Sequence, residues 1–208
     1  MATAPNQPTP AAGVTPAPPG GPPKELSGSQ WVSRFPGSSK VTDLTQPFQS
    51  KFSAFQSAIK TAGGTVTVSA TLRPPERAYL MHWCWQIVNK GTKPKDIPPM
   101  NGVAIEWVHG DDAKTLSAAK DMVNGYGMQT LKIAPALKSM HTIGEAVDMN
   151  VSWQGDLNIV EKAGTTKKIT TTPRDGMNTD LAAVGKGYGV IKFYLGAVDK
   201  PHWSSDGK

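Results

Sequence analysis

The stretch Ser139-Met140-His141-Thr142-Ile143-Gly144-Glu145-Ala146-Val147-Asp148 organises the reading of the whole chain. It sets a histidine seven residues before an aspartate, with a glycine turn between them. From Glu145 to Trp153 the pattern alternates: Val147, Met149 and Val151 share one face, and Ala146, Asp148 and Asn150 share the other. Successive side chains of a strand point to opposite faces. This strand can therefore bury its valines and still aim Asp148 into a cleft. Near the C-terminus a second cluster, Asp199-Lys200-Pro201-His202-Trp203, adds another imidazole and another carboxylate.

Upstream of that stretch the pattern changes element by element. Leu44, Phe48, Phe52, Phe55 and Ile59 recur at a spacing of three to four residues and predict an amphipathic helix over 43–62. Thr42 or Asp43 is its expected N-cap, and Gly63-Gly64 its stop. Thr65 to Thr71 alternates and is β-branched, which predicts a strand. Leu72-Arg73-Pro74-Pro75 ends it, and the prolines suit the first turn of a helix over Glu76–Asn89. Residues 90–104 read as a loop by their breakers, and a short apolar segment, Val103–Val108, follows. Asp111 or Asp112 then caps a helix that runs through Val123, with Leu116, Ala119, Met122 and Val123 as its inner face.

Downstream, residues 154–175 are rich in Thr, Lys and Gly and predict a hairpin or surface excursion. A short helix is expected over Asp180–Val184, a turn over Gly185–Gly189, and final strands over Val190–Leu195 and Pro201–Ser204. The Gly-rich turn is no phosphate loop, because it lacks the Gly-Lys-Ser/Thr ending and a strand before it. Helices and strands mix without regular alternation, so the expected class is α+β, a small antiparallel sheet with flanking helices.

Composition narrows the chemistry. The chain has 208 residues, enough for one domain and a tail. Residues 1 to about 24 carry eight of the 18 prolines and few apolar side chains, so a disordered tail is expected over 1–25 and the domain over 26–208. Such a tail reaches about 25 to 75 Å depending on its stiffness, and its role is either passive or that of a tether to a delivery partner. Cys84 is the only cysteine, which excludes an internal disulfide and a Cys-rich metal site. Any metal must be held by carboxylates and by the four histidines, His82, His109, His141 and His202. His82 lies among the aromatics of its helix and reads as a packed or solvent-facing residue, and His109 as a surface residue.

The formal net charge is +6, which favours anionic partners. The charge is spread out, with no run of Lys or Arg and no aromatic–basic repeat, so no specific nucleic-acid binding is expected. No apolar run approaches the roughly 20 residues of a membrane span. No Sec signal is readable at the N-terminus, so delivery to the cell wall or periplasm would come by lysis or a secretion machine. A monomer is expected.

A catalytic zinc takes three protein ligands and leaves a position open. His141, Asp148 and His202 offer N, O and N, and Asp199 stands three residues before His202 as a candidate proton acceptor. Arg73, at the end of a predicted strand, is the candidate cation for an oxyanion.

The pattern Ser-x-His-x-x-Gly-x-Ala-x-Asp from Ser139 to Asp148 resembles the first metal motif of the M15-type D-alanyl-D-alanine peptidases. That family includes DD-carboxypeptidases, D-Ala-D-Ala dipeptidases and L-alanyl-D-glutamate endolysins, on the fold shared with Hedgehog signalling domains. Asp199-Lys200-Pro201-His202-Trp203 is similar to its second motif, and Leu72-Arg73-Pro74 to an arginine that follows a strand. The resemblance covers roughly residues 65–204. It implies Zn2+ at His141, Asp148 and His202, Asp199 as general base, and Arg73 steadying the oxyanion. The expected activity is hydrolysis of bonds involving D-amino acids in peptidoglycan stem peptides or cross-links, by an endolysin or antibacterial effector. The family's base is usually Glu, whereas Asp199 is one methylene shorter, so Asp206 or another acid is the substitute candidate. A non-enzymatic reading on the same fold is a zinc-stabilised module that binds cell wall or protein.

Overall fold

The computed structural model describes residues 23–208. The expected tail falls, through residue 22, outside the described residues. The chain enters the fold as β1 (Glu25–Leu26) and continues through α1 (Phe48–Thr61), β2 (Thr65–Ala70), α2 (Pro75–Lys90), β3 (Ile105–Glu106) and α3 (Asp112–Gly125). A 3-10 helix over Met140–Ile143 leads into β4 (Ala146–Ser152), then β5 (Leu157–Val160), β6 (Thr166–Ile169), α4 (Thr179–Tyr188), β7 (Ile191–Lys192) and β8 (His202–Ser204). The central sheet is antiparallel in the order β2-β4-β8-β7. β5 and β6 form a hairpin, and β1 pairs with β3 in parallel. The class is α+β, as the mixed pattern implies.

Alternation along β4 has the expected consequence. Val147, Met149 and Val151 are buried against Phe48, Phe52, Phe55 and Ile59 of α1 and Leu181 and Val184 of α4. Asn150 is exposed and Asp148 half-buried on the opposite face. A second apolar cluster lies between α2 and α3, built on Tyr79, Leu80, Cys84, Trp85, Ala119 and Met122. Burying a side chain of Phe, Leu or Met stabilises by about 1.5–3 kcal/mol, so two such clusters can hold a chain without disulfides.

Several elements differ from the sequence expectation, each for a local reason. α1 begins at Phe48, not at Asp43, because Pro47 bars the preceding residue from helical geometry; residues Val41–Asp43 form a separate 3-10 turn. Leu116 is partly exposed on α3, whose inner face is Thr115, Ala118, Ala119, Met122 and Val123. Asp111 is the N-cap, its carboxylate accepting from the Lys114 backbone N–H.

The supposed turn over Gly185–Gly189 is the C-terminal half of α4, closed by Gly189 at φ 79°. Gly185 sits there because the helix packs so closely that a Cβ would lie 2.9 Å from Trp203 and 3.0 Å from Phe55. The hairpin β5–β6 is not merely superficial: Leu157, Ile159 and Ile169 join the core beneath α1. Among the described residues, no helix is long and apolar enough to cross a membrane.

Candidate metal centre

Three segments converge at one point, and backbone pairing brings two of them together. In the β4–β8 register Asp148 stands directly opposite His202, so their side chains share a face. On its other side β4 pairs with β2, where Ala70 faces Asp148 past a bulge between Val68 and Ala70. Pro201 suits the start of β8: it has no N–H to offer, and its carbonyl accepts from the Met149 N–H at 2.9 Å.

His141 comes from the 3-10 helix, which ends at Gly144 with φ 73°. That glycine serves two purposes. Its left-handed conformation turns the chain into β4, and a Cβ there would stand 3.0 Å from Thr45 Cγ2 and 3.1 Å from Thr45 N. The His141 carbonyl accepts from the Arg73 N–H at 3.0 Å, which ties the helix to the β2–α2 connection.

Outer hydrogen bonds settle the tautomer of each ring. His141 Nδ1 lies 2.7 Å from the Thr71 carbonyl oxygen, so this nitrogen carries the hydrogen and donates it. His202 Nε2 lies 3.0 Å from the Lys208 carbonyl oxygen and donates in the same way. In the neutral rings His141 Nε2 and His202 Nδ1 therefore present lone pairs. These two atoms are 3.1 Å apart, and Asp148 Oδ1 lies 3.1 Å from the first and 3.2 Å from the second. Three acceptors in a near-equilateral triangle repel one another unless a cation sits among them.

Zinc with bonds of about 2.0–2.1 Å needs a tetrahedral face with edges of about 3.3 Å, and the triangle is close to that. Outer N–H groups held by carbonyls are the usual way in which a protein orients metal-binding imidazoles. The residues present fit a metal ion, and they are the only such group among the described residues.

The electrostatics agree. Burial works against the Asp148 carboxylate, yet hydrogen bonds and charge from His141 and His202 hold its pKa well below the usual range. Burial also opposes a charged His202, but the bond to Asp148 outweighs it and raises the pKa. The His141 and His202 side chains are 5% and 7% exposed and that of Asp148 is 18% exposed, so the triangle opens on the carboxylate side.

The remaining expected residues stand as follows. Arg73 is half-buried; burial lowers its pKa, while the charges of Asp148 and Asp199 act in the opposite direction. It shares a recess of about 350 Å³ with His141, Arg77, Ser38 and Ser69. Asp199 is exposed in the connection between β7 and β8, and its charge acts on Arg73, Lys192 and His202.

Asp206 is engaged elsewhere, accepting from Ser204 Oγ and the Lys208 N–H to hold the final turn. His82 faces the Pro135 carbonyl at 2.8 Å, half-buried as expected for a packed residue. His109 is half-buried as well, not a free surface residue, because its Nε2 meets Ser27 Oγ at 2.9 Å.

Three contributors carried no sequence signal. Thr71 and Lys208 act through backbone carbonyls, which any residue supplies. Lys192 donates to the carbonyls of Lys200 and His202 and lies over the Trp203 ring, pinning the turn that presents His202. A scan against protein-family models, a search of curated proteins and a search of solved structures each returned no match.

Proposed function

We propose that this chain is a zinc-dependent peptidoglycan peptidase that hydrolyses bonds involving D-amino acids in stem peptides or cross-links. The observation that carries the reading is the lone-pair triangle of His141, Asp148 and His202, with both outer N–H groups committed to carbonyls. The spacing of the same residues in the Ser139–Asp148 and Asp199–Trp203 motifs, which resemble those of M15-type peptidases, gives the reading its substrate class.

Zinc held by this triad supplies Lewis acidity and a nucleophile available at neutral pH. The chain's own groups do the rest. Asp199 takes the proton from the attacking water and passes it to the leaving nitrogen. It is exposed on the connection between β7 and β8, three residues before His202, and its charge acts on Arg73 and Lys192. Arg73 keeps its positive charge beside Asp148 and faces the oxyanion as it develops. A net charge of +6 suits an anionic wall polymer, and wall access by lysis or a secretion machine belongs to the same reading.

The test is digestion of purified sacculi by zinc-loaded protein, with and without chelator, read by mass spectrometry of the muropeptides. New chelator-sensitive fragments are expected, and their masses identify the bond. Unchanged muropeptides with fully zinc-loaded protein would reject the enzyme.

One observation favours a second reading, a zinc-stabilised module that binds wall peptide or protein. The Asp199 carboxylate is exposed and has no hydrogen-bonding partner among the described residues. Asp199→Ala separates the two. The peptidase loses turnover while retaining zinc; the binding module shows no turnover in either form and unchanged binding.

A further inference from the structure

A groove of about 920 Å³ lies on the outer side of the 3-10 helix that carries His141. Tyr79 and Trp83, one turn apart on α2, line it together with Pro98, Pro99, Leu137 and Ile143, and the Tyr79 hydroxyl donates to the Pro98 carbonyl at 2.9 Å. Pro98, Pro99, Leu137 and Ile143 are all exposed, an apolar face with no partner among the described residues. Grooves lined by aromatic and proline side chains suit a polyproline II strand, whose stiff backbone loses little entropy on docking.

The chain carries such a ligand. Residues 1–23 contain no charged side chain, and Pro16-Ala17-Pro18-Pro19 places prolines three residues apart, on one edge of a three-residue turn. Lys138, Asp206 and Lys208 also line the groove, but an uncharged segment brings no charge of its own to be desolvated there.

Its anchor lies nearby. The Glu25 N–H donates to the Ala104 carbonyl at 2.9 Å, and Met100, four residues before Ala104, lines the groove. Four Cα steps span at most about 15 Å, whereas the five residues between Pro19 and Glu25 reach about 20 Å. A tethered ligand also acts at millimolar effective concentration, ahead of a foreign proline-rich peptide.

We propose that this groove is the docking site of the chain's own segment around Pro16–Pro19, held as a polyproline II strand across Tyr79 and Trp83. The seat lies against Ile143, so the docked segment covers the back of the helix that positions His141. The inference is independent of the metal and of any activity.

The full chain tests it. A nitroxide is placed on Ala17→Cys; Cys84 stays unlabelled because burial pushes its thiol up to about 12. The 15N indole signals are then read, with Trp83→Phe used only to assign Trp83. The expected result is broadening of the Trp83 signal several-fold beyond that of Trp153, which belongs to the other core cluster. That contrast should disappear when Pro16 and Pro19 are both replaced by Ala. Equal broadening of the two signals overturns the proposal, as does a contrast that survives the double replacement. So does a contrast that arises between a labelled chain and a separate 15N-labelled chain, because the occupant is then a second copy.

Discussion

At the scale of single residues, proton and metal compete for the same lone pairs. The pKa of Asp148 is depressed in the fold, so its contribution to stability is present above its unfolded value near 4 and is lost as pH falls through the folded value. The pKa of His202 is raised, so its contribution is complete below the unfolded value of about 6.5 and is lost as pH rises through the folded value. The metal-free protein should therefore lose stability as pH rises above about 6.5, while zinc affinity rises in the same direction because binding no longer displaces a proton. Titration calorimetry at several pH values checks both trends. Asp148→Asn should weaken zinc by more than about 100-fold, beyond the 10–100-fold typical of groups that only support a ligand. Full zinc affinity in that variant would remove Asp148 from the site.

At the scale of elements, α4 shows how one residue type carries opposite demands. Gly185 faces inward, where a Cβ would meet Trp203, the Val190 carbonyl and Phe55 at 2.9–3.0 Å. Two residues later Gly187 has nothing within 4 Å of the same position. Gly185→Ala should cost about 1–3 kcal/mol through overpacking, whereas Gly187→Ala should stabilise by about 0.5–1 kcal/mol by restricting the unfolded chain. Urea unfolding of the two variants reads the difference, and equal effects would contradict the packing of α4 against β8. Three glycines within five residues signal a breaker, so the local sequence predicts a turn here. The close approach of Trp203, which makes one of them necessary inside a helix, comes from 18 residues further on and has no local signature.

At the scale of the molecule, the site lies on the seam between the two apolar clusters. β2 belongs to the first and α2 to the second, and the connection between them supplies the Thr71 carbonyl and the Arg73 N–H to His141. A bound ion would link β4, β8 and the 3-10 helix across that seam. Zinc at 100 times its dissociation constant should add about 2.7 kcal/mol, which raises Tm by about 5–10 °C for a domain of this size. A thermal scan with zinc and with chelator measures it, and Asp148→Asn should abolish the increment. An unmoved Tm in the unaltered chain would mean that the triad takes no zinc.

The sequence by itself determined what is periodic or local. Alternation over Glu145–Trp153 decides which face of β4 is buried, the phenylalanine spacing makes the core face of α1, and the Ser139–Asp148 motif marks His141 and Asp148 as ligand candidates. A proline could also have warned that α1 starts at Phe48. Tertiary structure alone decided the register that sets Asp148 opposite His202, and the carbonyls of Thr71 and Lys208 that fix which imidazole nitrogens face inward. The reason is physical. Side-chain periodicity is written residue by residue, whereas strand pairing across 54 residues and hydrogen bonds to carbonyls use backbone groups that every residue shares.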